Sequence, residues 1–454
     1  MSGASSIRLN GCTNCHKYVF VPEDLRRRCP LCQAGRYKPN TNEPNEVCFY
    51  FPLKPKLRSL LKLRRFRRLL SYEFRRPRNS TLYSDVFDAP RWRRVMGEPT
   101  AELQRIGLVF CVDGFTAFAY GGLSVKPAEF KIANLPPGSR ACVRNMLLCM
   151  LIPAHLKGEQ SRKYYDWAAD FELNDLHTRG VEGVRVIVYA TSLDAPGRAE
   201  LLQMQNHGAI YSCPYCQINF DAGLGSKPVF GGFRRFLPAG HPWRRRTFVV
   251  HGLEFQFGTE ETRSPPQRRT TTTAMECIHL ATPNNPFRGH KSAPLMSKWP
   301  SFAWEMHPSD LMHDLKSVCD MLLKIMVGKG SFGMYEYWKK DDDHRLFCEA
   351  TGIFPEVYAG GKLPWRLTRE EVEILDARVG KIWWPHYMDV LYRDGYSFFK
   401  KSNRMWKARH KSFILLTILP TCLRGHVSAV HMGVLTIVNA LRQLEGQVIS
   451  KRIF

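Results

Sequence analysis

Four cysteines near the start of the chain have the spacing of a metal site. Cys12 and Cys15 form one Cys-x2-Cys pair, and Cys29 and Cys32 form a second pair after thirteen intervening residues. Two such turns can aim four thiolates at one point, as a closed tetrahedral zinc site requires. We therefore predict a zinc-ribbon-like module over residues 1–45, in which the ion stabilises a small fold.

A further pair, Cys213 and Cys216, lies in the middle of the chain. Far downstream, His307 and His313 flank the start of an amphipathic helical pattern. These residue types suit a Cys2His2 zinc site that closes across a long insertion. Either histidine is also explained by a helix-capping or packed side chain, so the sequence leaves both interpretations open.

Two aspartates each follow an apolar run that is typical of a buried strand. Asp113 ends the segment FCVD, and Asp194 ends the segment YATSLD. Carboxylates at the carboxyl ends of neighbouring strands lie where open α/β sheets bind ligands, and two of them can hold divalent cations about 4 Å apart. An aspartate after a strand is also an ordinary turn former or helix N-cap, and the pattern alone favours that simpler role.

The chain is strongly basic, with 66 Lys and Arg against 41 Asp and Glu and a formal net charge of +25 over 454 residues. An excess of this size indicates a polyanionic partner, with nucleic acid first and a ribosomal or membrane-surface role as the alternative. The composition, 44% hydrophobic and 24% charged, is that of a globular protein and excludes a collagen-like or wholly disordered chain.

Eleven of the cations fall within residues 54–78, interleaved with apolar side chains at spacings of three and four. This pattern predicts one amphipathic helix with a packed face and a cationic face, within a DNA-contacting segment over residues 46–100. We expect the cationic face to contact DNA phosphates and to act as a nuclear-import signal. The residues assigned to nucleic-acid binding are Lys62, Arg64, Arg65, Arg67 and Arg68.

The remaining pattern predicts an α/β core over residues 101–220 and a helical region over residues 301–454. Residues 221–300, rich in Gly, Pro, Thr and Arg, are expected to form a loop-rich insertion. Thr368 and Glu371 form a capping-box pattern before a helix that Gly380 ends. Buried strands are predicted at 106–112, 125–132, 145–152 and 184–190, and further helices at 311–326 and 430–444.

No apolar stretch approaches the roughly 20 residues that a bilayer span needs, so we expect no membrane partner. The first ten residues lack the long apolar core of a secretory signal. Several cysteines occur in pairs spaced for metal, which favours a reducing compartment over a disulfide-bonded secreted protein.

The order of these motifs resembles that of the transposases of CACTA (En/Spm-like) DNA transposons. The resemblance runs over most of the chain. Its matching segments are the Cys12 to Arg36 block, FYFPLKPKLRSLL, DVFDAPRW, FCVDGFTAF, NLPPGSR, TSLDAPG followed by CPYC, DLMHDLKSVCD, PWRLTREEVEILDARVGKIWWP and LLTILPTCLRG.

The resemblance implies a ribonuclease H-like core in which three acidic residues bind two Mg2+ (or Mn2+) ions to cut and join DNA. It also implies structural Zn2+, double-stranded DNA of the transposon ends as partner, and the nucleus as location. The matching positions are Asp113 for the first acid, Asp194 for the second, and Cys213, Cys216, His307 and His313 for the mid-chain zinc.

The third acid departs from the family pattern. Its slot, Lys407 to His410, ends in a histidine, which cannot supply the negative oxygen ligand that Mg2+ prefers. Glu336 and Asp320 are other acids in the region, and nothing in their spacing selects either.

Three functions therefore compete. The first is an active transposase whose third acid is unknown, and the second is a domesticated, catalytically dead zinc-containing DNA-binding protein. An RNA-associated zinc protein would explain the charge but not the order of the motifs. The sequence leaves open whether the chain forms a homo-oligomer.

Overall fold

The computed structural model of the chain divides into two compact units. The first comprises Met1–Gln217, Arg268–Ser309 and Ser450–Phe454, and the second comprises Ile218–Gln267 and Asp310–Ile449. The residues that the structure describes are 6–77, 82–98, 103–116, 124–206, 208–218, 247–250, 253–256, 266–327, 367–382, 408–424, 435–441 and 449–450. No helix among these residues is both long and apolar enough to cross a membrane.

A mixed sheet forms the centre of the first unit. The strands of this unit are β1 (Ile7–Gly11), β2 (Val19–Phe20), β3 (Val47–Tyr50), β4 (Leu82–Tyr83), β5 (Arg105–Val112), β6 (Phe115–Thr116), β7 (Ser124–Ile132), β8 (Leu147–Pro153) and β9 (Arg185–Thr191). The sheet has the order β2-β1-β3-β8-β7-β5-β9, with β6 paired to β7. Strand β9 runs parallel to β5, and the other pairings in this sheet are antiparallel.

All four strands predicted between residues 106 and 190 are present as β5, β7, β8 and β9, with ends shifted by one or two residues. The sequence of strand β5 is a continuous apolar run because other residues cover both faces of the strand. Ile106 and Phe110 face the main core, and Val109 faces a second cluster built around Trp92. Gly107 must lack a side chain, since a Cβ there would lie 3.0 Å from the Trp92 ring.

The strands of the zinc-ribbon-like region extend this sheet. Strand β1 pairs with both β2 and β3, and β3 pairs with β8 through Phe49 opposite Leu151. Tyr50 is fully buried in the same core that contains Phe110. The cysteine region is therefore anchored to the main sheet.

Nine helices flank the sheet among the described residues of this unit. They are α1 (Leu53–Lys62), α2 (Arg64–Leu70), α3 (Tyr72–Arg75), α4 (Pro90–Met96), α5 (Pro137–Arg140), α6 (Glu159–Ala168), α7 (Asn174–Thr178), α8 (Ala195–Leu201) and α9 (Thr271–His279). A π-helical turn, Ala169–Leu173, joins α6 to α7.

The prediction of one helix over residues 54–78 is wrong, because the segment forms α1, α2 and α3 as far as it is described. Leu63 is extended, with φ −80° and ψ 114°, and ends α1. The apolar spacing explains the break. Leu61 and Phe66 are both buried but five residues apart, and a continuous helix would place residues five apart on different faces. The extended Leu63 separates the two helices, so that Leu61 and Phe66 can both be buried.

Helix α1 is capped by a residue that lies far away in sequence. Its own N-cap position is Pro52, which offers no side-chain acceptor. The Glu172 carboxylate, in the π-helical turn, accepts hydrogen bonds from the backbone N–H groups of Leu53 (2.8 Å) and Lys54 (2.6 Å). A carboxylate at this position satisfies free helix N–H groups and complements the helix dipole. The basic segment is thereby fixed to the core.

The expectation of a loop-rich stretch over residues 221–300 is only partly met. Residues Thr271–His279 form α9, and Thr270 caps it by accepting from the backbone N–H of Thr273. Ala274 and Cys277 of this helix are buried. The threonine run therefore begins a packed helix, because threonine is a good N-cap even where its helix propensity is modest.

The described part of the second unit is mainly helical. Its elements are the hairpin β10 (Thr247–Val250) and β11 (Leu253–Gln256), and helices α10 (Leu311–Val327), α11 (Arg369–Gly380), α12 (Ala408–Phe413) and α13 (Leu419–Leu423), with a π-helical turn at Ile414–Ile418. The predicted capping box is confirmed, since Thr368 caps α11 and the helix runs to Gly380. Of the predicted last helix, residues 435–441 are helical and the remainder lies outside the described residues.

Candidate functional site

The four N-terminal cysteines converge as their spacing predicts. The Sγ atoms of Cys12 and Cys32 are 3.5 Å apart, those of Cys15 and Cys29 are 3.8 Å apart, and all four lie within 4.8 Å of one another. A tetrahedral site with Zn–S bonds of about 2.3 Å has S···S edges of about 3.8 Å. These four thiols could therefore hold a metal such as zinc.

The two Cys-x2-Cys turns have the same backbone form. The residue after each pair, His16 or Gln33, adopts the left-handed conformation, with φ of 55° and 61°. Such a residue reverses the chain tightly, so that both sulfurs of a pair point the same way. In the second turn the backbone N–H of Gln33 donates to the Cys29 carbonyl at 2.8 Å.

A buried ion pair supports the first of these turns from the core side. Lys163 of α6 and Glu46 are both fully enclosed, with the Lys163 Nζ 2.7 Å from Glu46 Oε1. The same Nζ donates to the Cys12 carbonyl at 3.0 Å, and the Tyr164 hydroxyl donates to Glu46 at 2.6 Å. Gly11 leaves room for this network, because a Cβ there would collide with the Glu46 carboxylate. The metal turn and the core are thus held together by hydrogen bonds.

Asp113 directly follows β5, in the short break between β5 and β6. Val112 pairs with Ala128 of β7, and after a short gap Phe115 pairs with Val125 in the same register. This register places Asp113 opposite Pro127. Proline has no N–H to donate, so the hydrogen-bond ladder is interrupted at this pair and β5 and β6 appear as separate strands. The Asp113 side chain is exposed at the interruption.

Asp194 lies just beyond β9, the parallel neighbour of β5. Thr191 pairs with Phe110, and the backbone N–H of Ser192 donates to the Phe110 carbonyl at 2.8 Å. Asp113 and Asp194 therefore follow paired positions by three residues each. Asp194 also caps α8, its Oδ1 accepting from the Gly197 N–H at 2.7 Å. This placement is consistent with both interpretations of Asp194, as a helix N-cap and as a metal ligand. Oδ1 forms the cap, and Oδ2 has no hydrogen-bond partner among the described residues.

A third carboxylate, Glu129, lies on the same side of the sheet. Glu129 of β7 is directly opposite Cys111 of β5, two residues before Asp113. Directly opposed residues share a face, and alternate residues of a strand point the same way. The Cys111 thiol, whose pKa burial raises, is close enough to Glu129 and Lys131 for both charges to act on it. Glu129 is therefore a diagonal neighbour of Asp113.

The mid-chain cysteines form a pair that no further thiol joins among the described residues, unlike the four N-terminal cysteines. The Cys216 thiol donates to the Cys213 sulfur at 3.6 Å and lowers the pKa of Cys213 to about 7. Arg269 supports the turn, since its Nε donates to the carbonyls of Cys213 at 2.9 Å and Cys216 at 3.1 Å. Among the described residues, no third metal-ligating side chain comes as close to this pair as the N-terminal thiols do to one another.

The Arg269 guanidinium also forms a hydrogen bond with a buried histidine, His290. Its Nη1 is 2.7 Å from His290 Nε2, and its Nη2 donates to the Arg288 carbonyl at 2.8 Å. Burial lowers the pKa of His290 to about 3, and the Arg269 charge acts in the same direction. His290 is therefore neutral at physiological pH and accepts a hydrogen bond from the cation.

His307 is buried close to the carboxyl end of β9. Its Nδ1 lies 2.8 Å from the Thr191 hydroxyl, and its Nε2 is enclosed without a hydrogen-bond partner among the described residues. Burial, then the Arg198 charge, lowers the pKa of His307 to about 3, so the ring is neutral, as a metal ligand requires. The segment before it contacts the cysteine turn, where Trp304 Nε1 donates to the Pro214 carbonyl at 2.7 Å.

The other proposed ligands lie in the second unit or outside the described residues. His313 begins α10, where its Nδ1 lies 2.7 Å from Asp310 Oδ2. His410 is buried in α12, and Asp320 pairs with Lys411 at 2.6 Å. Glu336 lies outside the described residues.

The five cations assigned to nucleic-acid binding are all exposed. In the described part of the chain, none of them forms an ion pair with a carboxylate, whereas Arg58 of the same segment pairs with Glu182 and Arg76 pairs with Asp88. The five are Lys62, Arg64, Arg65, Arg67 and Arg68. Their charges are therefore available to an external anion.

The two aspartates and the second cysteine pair fall within one segment that has relatives. Residues 81–280 match the transposase family tnp2. The match supports a transposase or a protein derived from one, and such a protein is expected to bind DNA. A comparison with curated proteins found no match to the chain.

Within this tnp2-like segment, sequence reasoning missed Arg269 and Glu129. The strand alternation around Cys111 could have selected Glu129 once the β5–β7 register was assumed. Arg269 gives no such signal, because the carbonyls of Cys213 and Cys216 that its Nε contacts are more than fifty positions away in the chain.

Proposed function

We propose that this chain is a transposase, or a protein derived from one, of the CACTA type, which binds transposon ends and cuts and joins DNA through a ribonuclease H-like core. The observation that carries the proposal is that Asp113 and Asp194 each lie three residues beyond a paired residue, Phe110 or Thr191, of the parallel strands β5 and β9. Both lie inside the segment that matches the transposase family tnp2.

The chemistry of the two side chains suits a hard divalent cation. Asp113 is exposed, and Asp194 keeps one carboxylate oxygen clear of its capping hydrogen bond. Mg2+ prefers such oxygen ligands, so we assign its binding to Asp113 and Asp194. When bound, two such ions activate a nucleophile and stabilise the leaving oxygen in phosphodiester exchange.

The protein's own contribution is to fix the carboxylates. The parallel pairing of β5 with β9 sets the level of the two aspartates, and the Gly197 N–H orients the Asp194 side chain. Pro127 interrupts the ladder beside Asp113, which leaves this backbone segment free of a cross-strand hydrogen bond. The Asp194 side chain is therefore preorganised by its helix cap, which reduces the cost of assembling a metal site.

DNA binding is assigned to the exposed cations of α1 and α2. Glu172 anchors the start of α1, while the free charges project from its far end and from α2. Each phosphate that a cation neutralises releases condensed counterions, so affinity should fall steeply with salt. We also assign nuclear localisation to this cluster, because a short run of Lys and Arg can act as an import signal.

Zinc binding is assigned to two places. The first is the N-terminal set of four cysteines. The second is the Cys213 and Cys216 pair, with the neutral, buried His307 of the same unit as the further ligand, since its Nε2 has no hydrogen-bond partner among the described residues. The N-terminal ion would have a structural role, since four thiolates close its coordination.

The alternative is a domesticated DNA-binding protein without catalysis. The observation that favours it is the histidine at the third-acid slot, which is buried in α12. An imidazole is a poor substitute for a carboxylate at a Mg2+ site.

A strand-cleavage assay on the full chain separates the two functions. The substrate is a duplex that carries the transposon's terminal sequences, in the presence of Mg2+ or Mn2+. We expect Asp113→Asn and Asp194→Asn to lower the cleavage rate by at least about 10²-fold, since losing a metal ligand costs several kcal/mol at the transition state. Asp170→Asn, at an exposed aspartate of the same unit, is the matched control.

Absence of cleavage by the unmodified chain, together with unchanged Mn2+ affinity in the Asp113 and Asp194 variants, would exclude the catalytic function. Asn at position 194 keeps the helix cap, so a loss of activity there cannot be assigned to unfolding of α8.

Neutralising Arg64, Arg65, Arg67 and Arg68 tests the DNA contact. If each meets one phosphate, the slope of log affinity against log salt should fall by about 3.6, so the affinity lost between 50 and 200 mM salt shrinks about 150-fold. The control neutralises four exposed cations that are already paired with carboxylates, Lys38, Arg58, Arg179 and Lys298. An equal change in both variants would assign the effect to net charge.

A further inference from the structure

We infer that the zinc-ribbon-like region carries a second DNA-contacting surface, which we name the arginine–leucine surface: residues 25–28 together with Leu31. Leu25 is 91% exposed and Leu31 is 62% exposed. Arg26, Arg27 and Arg28 are exposed between them. The inference rests on the proposed DNA-binding function and adds a site to it.

The surface is rigid, although it is exposed. Below it, the buried Arg36 donates from Nη1 to the Asp24 carbonyl (2.5 Å), the residue before Leu25. From Nε and Nη2 the same guanidinium donates to Asn10 Oδ1 of β1, at 2.9 and 2.6 Å. The Leu25 backbone is thus tied to the sheet, and its side chain is held away from any core. Leu31 lies inside the second Cys-x2-Cys turn, which the metal would hold.

The charge of the surface is positive. Of the two carboxylates that precede it in the chain, Asp24 is almost enclosed and accepts from Arg26 and from the Tyr18 hydroxyl, while Glu23 is exposed, so three arginines face one exposed carboxylate. Arg27 stacks over Tyr37, and Arg28 donates to the Gln33 carbonyl. In the described part of the chain neither of these two cations pairs with a carboxylate. Two positive charges are therefore presented beside two exposed leucines.

The same combination occurs in the basic segment. Leu63, in the extended link between α1 and α2, is 56% exposed and is flanked by Lys62 and Arg64. Cations that contact phosphates beside apolar side chains that enter a groove are a common arrangement at DNA, where leucine can wedge against base steps. Double-stranded DNA is therefore the occupant that fits both the charge and the apolar tips.

The first test measures DNA affinity of the full chain against salt for Arg27→Gln combined with Arg28→Gln. Two lost phosphate contacts should lower the slope by about 1.8, so the affinity lost between 50 and 200 mM salt shrinks about 12-fold. The control is Arg8→Gln combined with Lys38→Gln, which removes two exposed charges elsewhere in the same region. Zinc content and zinc affinity are measured on every variant.

The second test replaces the leucines, with Leu25→Ser and Leu31→Ser combined. Affinity should fall at every salt concentration while the slope stays unchanged, since no charge is removed. Because both side chains are exposed, folding and zinc content should be retained.

The outcomes separate this surface from the function it depends on. If the arginine variant retains the wild-type slope, while neutralising Arg64, Arg65, Arg67 and Arg68 flattens it, the arginine–leucine surface is not at the DNA and the inference is overturned alone. A wild-type chain that binds no DNA overturns both. A fall in zinc affinity with an unchanged DNA slope would show that the arginines balance the thiolate charge, which also overturns it. Unchanged DNA affinity in the leucine variant would overturn the assignment of Leu25 and Leu31 to the DNA contact.

Discussion

The two Cys-x2-Cys regions share one local pattern and have different surroundings. In the N-terminal region, the four sulfurs lie within 4.8 Å of one another and all come from a short stretch of chain. In the middle of the chain, Cys213 and Cys216 lie 3.6 Å apart, and Arg269 is bonded to both of their carbonyls. One turn is organised by sulfur neighbours, and the other by a buried cation.

This difference shows when the spacing of cysteines in the sequence is enough to predict a metal site. When all ligands of a site are close in sequence, the turns themselves bring the ligands together. When a site must be closed by a residue from beyond a long insertion, the local turn is unchanged but its partners depend on the whole fold. The Arg269 contacts illustrate this, because a guanidinium that satisfies main-chain carbonyls can stabilise a turn before any metal binds.

The largest effect expected from this comparison is that of Cys29→Ser. This change removes one of four zinc ligands, and because metal binding contributes folding energy, the cysteine region should lose on the order of 5 kcal/mol of stability. Zinc per chain, and hydrogen exchange of residues 6–50, provide the measurement. Cys142→Ser, at a half-exposed cysteine outside both sets, is the control. Unchanged zinc content in the Cys29 variant would contradict the four-thiolate site.

A smaller loss is expected from Arg269→Gln. It leaves the carbonyls of Cys213 and Cys216 and the His290 ring without their charged donor, which should lower the local stability by on the order of 3 kcal/mol. The neighbouring Arg268→Gln is a matched control, because Arg268 is exposed. The free energy of local opening, from hydrogen exchange of residues 208–218 and 266–290, should separate the two variants. Equal effects would mean that Arg269 does not organise the turn.

Replacing the mid-chain cysteines should change metal content more than stability. Cys213→Ser with Cys216→Ser is expected to lower zinc by one ion per chain. In zinc-free buffer it should cost about 1 kcal/mol, since Arg269 still holds the turn. If the zinc content equals that of the unmodified chain, these cysteines do not bind zinc. The turn would then be stabilised by protein contacts alone.

The last effect concerns pH. The pKa of His290 is lowered to about 3 in the folded chain, so the unfolded chain binds a proton near its ordinary pKa of about 6.5 while the folded chain does not. Stability from this group is therefore complete above about pH 6.5 and is lost as the pH falls towards 3. His290→Gln, which keeps an acceptor for Arg269, should flatten that loss between pH 7 and 5. His279→Gln, at an exposed histidine, should follow the unmodified profile.

The sequence by itself determined those features whose causes are local. The apolar runs specified β5 and β8, because a strand that is covered on both faces needs apolar side chains on both. The spacing of Cys12, Cys15, Cys29 and Cys32 specified a cluster because each turn places its own two sulfurs. The capping box of Thr368 and Glu371 began α11 where the side-chain acceptors are.

Only the tertiary structure decided the features that depend on distant partners. The basic segment is broken at Leu63 because its buried residues must face one core, and α1 begins at its observed place because Glu172, more than a hundred residues away, caps it. The same holds for Asp113, whose environment is set by Pro127 on a neighbouring strand, and for Arg269 beneath the second cysteine turn. The periodicity of apolar residues indicates which side chains are buried, but it does not indicate which distant atoms contact them.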